Sequence, residues 1–514
     1  MAALEQHQEL KSTIWKMANE LRGAVDGWDF KQYVLGTLFY RYISEDMAAY
    51  INKKQHEAGL KDFRYEDFND EDAKNAQEDI VKEKGIFILP SQLFCNVCKN
   101  ARDDENLNET LDNTFKAIEA TAVGTESEGD FKGLFEDIDV NSNRLGSTVA
   151  RRNEKLVKIL ETIAGLDLGS PDEHEIDIFG DAYEFLMGMY AANAGKSGGE
   201  FFTPQEASRL LALITTHGKE RIRRAYDPAS GSASLLLQVG KVKGFDKVGG
   251  FYGQEINRTT FNLSRINMFL HGVPYDRFDI ECEDTLLHPQ HWDDQPFDVI
   301  VSNYPYSIKW VGEDDPTLIN DPRYAPAGVL APKSKADLAF LMHIVSWLAS
   351  DGTAAVVSFP GVLYRGGAEG KIRKYLVDNN FIDAVIQLPQ NLFFGTSIAT
   401  CIIVIKKNKK EAKTLFIDAS NEFIHEGNKN KLDEKNIQKI VQEWANRTEI
   451  AHFSSVVDNS VIADNGYNLS VNTYVETKEV REEINIAKLN AEIESIVARE
   501  NELREQINEI IAKI

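Results

Sequence analysis

The sequence predicts an α/β fold. A mostly parallel sheet covered by helices stands between a helical N-terminal domain and a long C-terminal helix. Three observations predict it. Short apolar runs alternate with helix-length segments: Ala225-Tyr226, Val248 to Gly253, Val299 to Ser302, Ala354 to Ser358, Ala384 to Leu388, Thr400 to Ile405 and Leu415 to Ile417. That is the pattern of right-handed β-α-β units. Ahead of them, Phe30, Tyr33, Val34, Leu38 and Tyr42 recur at helical spacing after the turn-like Asp26-Gly27. Behind them the chain turns polar, has no proline after Pro389, and finishes in a heptad-like run. The boundaries that follow are 1–165 for the helical domain, 166–420 for the sheet domain and 421–514 for the C-terminal region.

Within the first stretch, the acidic segment Asp62 to Asp79 reads as a solvated loop or short exposed helix, and a further helix is expected from Gly146 to Ile163. In the last, Leu489, Ile493, Ile496, Leu503, Ile507, Ile510 and Ile514 follow a 4-3 rhythm, with Glu500 in the one missing position. Such a seam suits a partner helix. It also suits packing on the helix's own domain, and the terminal position favours the partner.

The 514 residues carry 57 basic and 81 acidic side chains, a net charge of −24, with 43% apolar and 27% charged residues. This is the balance of a globular protein of several domains. No window approaches eighteen apolar residues, and the first thirty positions lack a secretory pattern, so a cytoplasmic address is expected and no membrane partner. Cys95, Cys98, Cys282 and Cys401 are too scattered for a disulfide framework. Cys95-x-x-Cys98 lacks a second ligand pair, so two partly buried thiols are expected there and no metal. Gly195-Lys196-Ser197 imitates the end of a P-loop, but Tyr190 stands where its first glycine is needed, and no ATPase follows. So acidic a chain repels phosphate backbones. If it acts on nucleic acid, a basic partner has to hold the substrate.

In a parallel sheet the chemistry lies beyond the carboxyl ends of the strands. Ala225-Tyr226 runs into Asp227-Pro228-Ala229-Ser230-Gly231-Ser232-Ala233 and then a helical run. A small-residue turn there lets a cofactor approach the backbone and meet helix N–H groups. Alone, it reads equally as an ordinary strand-to-helix turn. The next strand stops at Gly253-Gln254-Glu255, where an acid can accept hydrogen bonds from ribose hydroxyls. Together the two point to an adenosine-containing cofactor. A third strand leads into Asn303-Tyr304-Pro305-Tyr306. An amide, a stiff turn and an aromatic ring can bind a planar base: the amide oxygen accepts from an exocyclic amine and the ring stacks.

With these motifs the chain resembles the modification subunits of type I restriction-modification systems, N6-adenine DNA methyltransferases that use S-adenosylmethionine. The resemblance runs over nearly the whole chain, including Gly27-Trp28-Asp29-Phe30-Lys31 and the C-terminal helix. It implies a Rossmann-like methyltransferase domain. It also implies that Glu200, Phe201, Phe202, Thr203, Pro204 and Gln205 lie over the methionine end of the cofactor. Asp227, Ala229, Ser230 and Gly231 become the main cofactor turn, Glu255 the ribose acid and Asp284 an adenine contact. Asn303, Tyr304, Pro305 and Tyr306 become the catalytic group, with Asn303 and the carbonyl of residue 304 polarising the flipped adenine's amine and Tyr306 stacking on it. Phe393-Phe394-Gly395-Thr396 resembles a later segment near the flipped base, and reads equally as core aromatics before a strand.

The implied partners are a specificity subunit binding two copies of this chain, a restriction and translocase subunit, and double-stranded DNA held by the assembly. One departure stands out: position 304 is tyrosine where the family has proline. It frees φ and brings a bulky ring into a tight turn, an expected cost to turnover. Three functions are therefore compatible with the motifs: an active adenine methyltransferase subunit, a non-catalytic assembly subunit, and a methyltransferase acting on N4 of cytosine.

Overall fold

Strands buried on both faces must be apolar at every position rather than at alternate ones. Phe297–Ser302 comes close to such a run: all six residues are buried, and its one charged side chain, Asp298, is bonded by Arg223. The computed structural model describes residues 30–168, 178–193, 202–393, 397–427, 429–476 and 486–511. The strands are β1 (Ala225–Asp227), β2 (Phe251–Gln254), β3 (Phe278–Glu281), β4 (Phe297–Ser302), β5 (Leu348–Ser358), β6 (Ile382–Gln387), β7 (Cys401–Lys406), β8 (Lys413–Asp418), β9 (Ile424–Glu426), β10 (Lys429–Lys431) and β11 (Ser454–Asp458). Nine form one sheet in the order β11-β8-β6-β7-β5-β4-β1-β2-β3, while β9 and β10 pair separately.

The sheet is mostly parallel, as the sequence predicts. β1 pairs in parallel with both β2 and β4, β2 with β3, β4 with β5, and β6 with β8. β7 is antiparallel to β5 and β6, and β11 to β8. Every apolar run read as a strand is one. Two strands of the nine-stranded sheet escape that reading, as do β9 and β10. β3 is an edge strand whose Asp279 and Glu281 alternate with buried Phe278 and Ile280, so it lacks the continuous apolar signature. β11 comes from the polar stretch after 421, so the sheet takes in residues beyond 420.

The strand order reverses at β1: the chain moves outward through β2 and β3, then returns to place β4 on β1's other side. This switch point opens a crevice outside the carboxyl ends of β1 and β4.

The first helix among the described residues is Phe30–Glu57, in which Tyr33, Val34 and Leu38 are buried. The expected helix from Gly146 runs instead over Val149–Ala164, because the Thr148 side chain caps it by accepting from Arg151 N–H. Residues 62–79 form short, largely exposed turns of helix around buried Tyr65. Side chains of the helix Arg258–Leu270 tie this helical region to the sheet domain: Arg258 and Asn262 reach Glu136, and Thr259 reaches Asp137. Arg265, 1% exposed on the helix Arg258–Leu270, donates to the carbonyls of Gly129 and Asp130 at 2.9 and 3.0 Å and to Lys132 O at 3.1 Å. It covers acceptors that the 129–132 turn cannot satisfy by itself.

Two compact units result, Met1–Val475 and Glu476–Ile514. The second contains the helix Ile486–Ile511, on which Ile493, Ile496, Val497, Leu503, Ile507 and Ile511 are exposed and Glu500 pairs with Arg504. The side chains of Leu489, Ile510 and Ile514 lie outside the described residues. No helix among the described residues is long and apolar enough to cross a membrane.

Arg265→Met keeps the volume but strands several buried carbonyls. It is expected to cost about 3 kcal/mol or more, read as a lower urea midpoint.

Candidate active site

The small residues after β1 make a turn that larger ones could not. Gly231 and Ala233 have φ of 54° and 62°, and Ala233 opens the helix Ser234–Lys243. Ser230 N–H donates to Gln254 O at 3.0 Å, so the turn lies on the end of β2. A Cβ on Gly253 would meet Ser230 Cβ at 2.9 Å; only glycine allows that approach. The Ser230 and Ser232 hydroxyls are buried without hydrogen-bond partners. Asp227 is wholly buried, and burial pushes its carboxyl up to about 7 against the pull of the Ala229 N–H and the Ser302 hydroxyl.

Two residues on, Glu255 accepts from Gly231 N–H at 3.0 Å and from Asn257 N–H at 2.9 Å. Burial raises its pKa while those N–H groups lower it. Gln254 is the residue that sequence reasoning passed over. Fully buried, it donates to Glu283 O and His288 O and accepts from Gln290 N–H. These bonds hold the loop that carries Asp284. Asp284 turns that loop by accepting from Leu286 N–H at 2.9 Å, and Thr285 anchors it to Pro228 O.

At the end of β4, Asn303 is fixed from both sides. Its Nδ2 donates to Thr203 Oγ1 at 2.9 Å and its Oδ1 accepts from the Tyr306 hydroxyl at 2.5 Å. The structure thus brings Thr203 to Asn303 across 100 positions of sequence. Ser307 has a φ of 53°, and its N–H donates to both carboxylate oxygens of buried Asp337. That contact holds the tight turn, and no motif pointed to Asp337. Tyr304 is 0% exposed and turns into the core, where its ring stacks on Phe340 at 5.2 Å and its hydroxyl meets Ser358 Oγ at 2.8 Å. The bulky ring therefore leaves the turn rather than crowding it.

A cavity of about 670 Å³ joins these parts, with Ala229, Glu255, Asp284, Asn303 and Pro305 in its wall. Gln32 and Arg144 of the helical region and Trp310 of the loop after β4 also line it; spacing gave no signal for them. Phe202, Thr203 and Pro204 are buried, Thr203 meeting the cavity wall through Asn303, and Gln205 opens the helix Gln205–Thr216. Glu200, Phe201, the Gly195-Lys196-Ser197 segment, Gly27-Trp28-Asp29 and Phe394-Gly395-Thr396 lie outside the described residues. Phe393 is buried in the core. Cys95 is exposed and Cys98 half-buried.

Comparison with known proteins places this arrangement. A model of the N-6 DNA methylase family matches residues 174–483, and one of the HsdM N-terminal domain matches 10–163. The chain belongs to the N-6 DNA methylase family, as a type I restriction-modification methylase subunit. It is 48% identical to the type I restriction enzyme MpnII methylase subunit of Mycoplasma pneumoniae, over 99% of this chain and 97% of that protein. It is 30% identical to the MjaVII methylase subunit of Methanocaldococcus jannaschii, over 93% of this chain and 80% of that one. Among solved structures, the methyltransferase subunit of a type I restriction-modification system from Streptococcus thermophilus superposes with a TM-score of 0.83 at 36% identity. It covers 91% of this chain and all of that one. This methylase subunit therefore shares its fold from the helical region through the sheet.

Tyr304→Pro restores the family residue but removes a buried ring and its hydroxyl's partner. It is expected to destabilise the chain by about 3–5 kcal/mol, as aromatic truncations do, read as a lower urea midpoint.

Proposed function

We propose that this methylase subunit transfers a methyl group from S-adenosylmethionine to N6 of an adenine flipped out of duplex DNA, at sites chosen by a separate specificity subunit. The observation that carries the reading is Asn303. Its amide oxygen faces a phenol, its amide nitrogen is held by Thr203, and it lines the same cavity as Glu255 and Asp284.

The residues present fit the cofactor. The buried serine hydroxyls after β1 and the glycine-permitted approach of that turn to β2 offer polar partners at a concave strand end. Glu255 would take the ribose, Asp284 the adenine, and Phe202, Thr203 and Pro204 the methionine end. When bound, the cofactor supplies an electrophilic methyl group on a sulfonium.

The chain's own work is to position the base. Asn303 Oδ1 accepts one hydrogen of the adenine amine, exchanging its present phenol donor for the amine. The carbonyl of residue 304 accepts the second, leaving the nitrogen lone pair free. The Tyr306 ring then stacks on the base. Such preorganised acceptors act mainly through orientation and electrostatics. The burial of the Tyr304 ring away from the cavity favours an active subunit over an assembly-only one.

The net charge of −24 supports a division of labour in which duplex DNA is held by the assembly. The exposed apolar face of Ile486–Ile511 supports docking to the specificity subunit, with two copies of this chain in each complex and a restriction subunit joining them in the cytoplasm.

The test is single-turnover methylation by the chain co-purified with its specificity subunit, followed by base analysis. N6-methyladenine is expected, and N4-methylcytosine would select the other base. Asn303→Ala should lower the rate by about 10²–10³-fold with cofactor affinity nearly unchanged.

A pH dependence follows from Asp227, whose carboxyl is raised by burial to about 7. A bound cation favours the ionised carboxylate. Cofactor binding should therefore release a proton and tighten as pH rises from 6 toward 8. Titration calorimetry in buffers of different ionisation enthalpy reads the release, and Asp227→Asn should abolish it.

A further inference from the structure

Outside the cavity, two clusters bring a histidine together with two carboxylates: Asp181, Glu184 and His271, and Asp279, His291 and Asp294. The first already holds its own cation. Lys241 Nζ sits 3.1 Å from Asp181 and 3.0 Å from Glu184. The second is built differently. Among the described residues, no lysine or arginine nitrogen pairs with the carboxylate of Asp279 or Asp294, although Arg224 Nη1 donates to the Asp294 backbone carbonyl; the only ion-pair contact of each carboxylate is His291.

His291 is 1% exposed, and its Nε2 lies 2.9 Å from Gly253 O. A carbonyl can only accept, so Nε2 donates to it and Nδ1 is the ring nitrogen left to face the carboxylates. Nδ1 stands 3.4 Å from Asp294 Oδ2 and 3.7 Å from Asp279 Oδ2. Both separations exceed the ordinary N–H···O range. They match what a shared ion gives instead. Donors about 2.0–2.2 Å from one tetrahedral ion stand roughly 3.4 Å from each other.

We propose that Asp279, His291 and Asp294 form a binding site for a divalent first-row metal ion, separate from the cavity, with the remaining coordination positions open to water. One imidazole and two carboxylates suit Zn²⁺ or Mn²⁺ rather than a thiolate-seeking ion. The hydrogen bond from Nε2 to the Gly253 carbonyl is the kind of outer contact that orients a metal-ligating histidine. The ion would join the β3 edge to the segment before β4. Through Gly253 it would brace the strand end that carries Gln254 and Glu255.

The experiment uses the full chain, in a Cys95→Ser, Cys98→Ser background, stripped with chelator and titrated with Zn²⁺ by calorimetry. One ion per chain is expected at micromolar affinity or tighter, together with a zinc-dependent rise in melting temperature. Asp294→Asn, at a partly exposed side chain, should weaken binding at least tenfold and remove that rise. Asp181→Asn should change neither. Co²⁺ in place of Zn²⁺ should give visible ligand-field bands without a thiolate charge-transfer band. Absence of uptake at millimolar Zn²⁺, or equal affinity in Asp294→Asn and the parent, overturns the proposal.

Discussion

The carboxyl end of β2 is the constraint on which the site depends. Three consecutive residues there bind three different parts of the chain. The absent side chain of Gly253 admits the turn after β1, and its carbonyl accepts from His291. Gln254, with no exposed surface, spends its whole amide on the loop 283–290. Glu255 caps Gly231 and Asn257 N–H groups. A buried polar group is costly unless every hydrogen-bonding atom is matched. Each of these groups therefore holds its partners in a narrow set of positions, and the cavity wall inherits that order.

The opposite wall is held by different means. β4 ends at Ser302, and no strand pairing restrains the Asn303 that follows it. Thr203, Tyr306 and Asp337 do so instead, the last by gripping the N–H of Ser307 at its positive φ. The helical N-terminal region completes the enclosure through Gln32 and Arg144. Arg265 keeps that region against the sheet by donating to backbone carbonyls of 129–132. A guanidinium can serve several carbonyls at once because its five donors lie in a fixed fork, so one side chain can couple the two parts.

Much of the fold was legible because its central strands are buried on both faces. Val299 to Ser302 and Thr400 to Ile405 announce themselves as unbroken apolar runs. The edge strands did not, since Asp279 and Glu281 in β3 face outward, and β11 lies in a polar stretch. Helix starts were legible only to within a turn. Gly146 looked like the beginning of a helix, but the Thr148 side chain makes the cap. Of the site, Asp227, Glu255 and Asn303 were readable because each stands at the carboxyl end of a strand, where topology must place ligands, whereas Asp284 came only from the family resemblance.

By itself the sequence determined the fold class, the buried central strands and the family, since these depend on apolar periodicity and on motifs that occupy adjacent positions. Only the tertiary structure decided what surrounds those motifs. Thr203 meets Asn303, Asp337 meets Ser307, and Arg144 reaches the cavity from a separate region. Tyr304, which looked like a disturbance of its turn, proved to be a core side chain stacked on Phe340 and bonded to Ser358. The physical reason is the range of the interactions. Backbone propensity and hydrophobic patterning act between residues a few positions apart. Hydrogen bonds and ring stacking are as short in space as any contact, but they join residues at any separation along the chain.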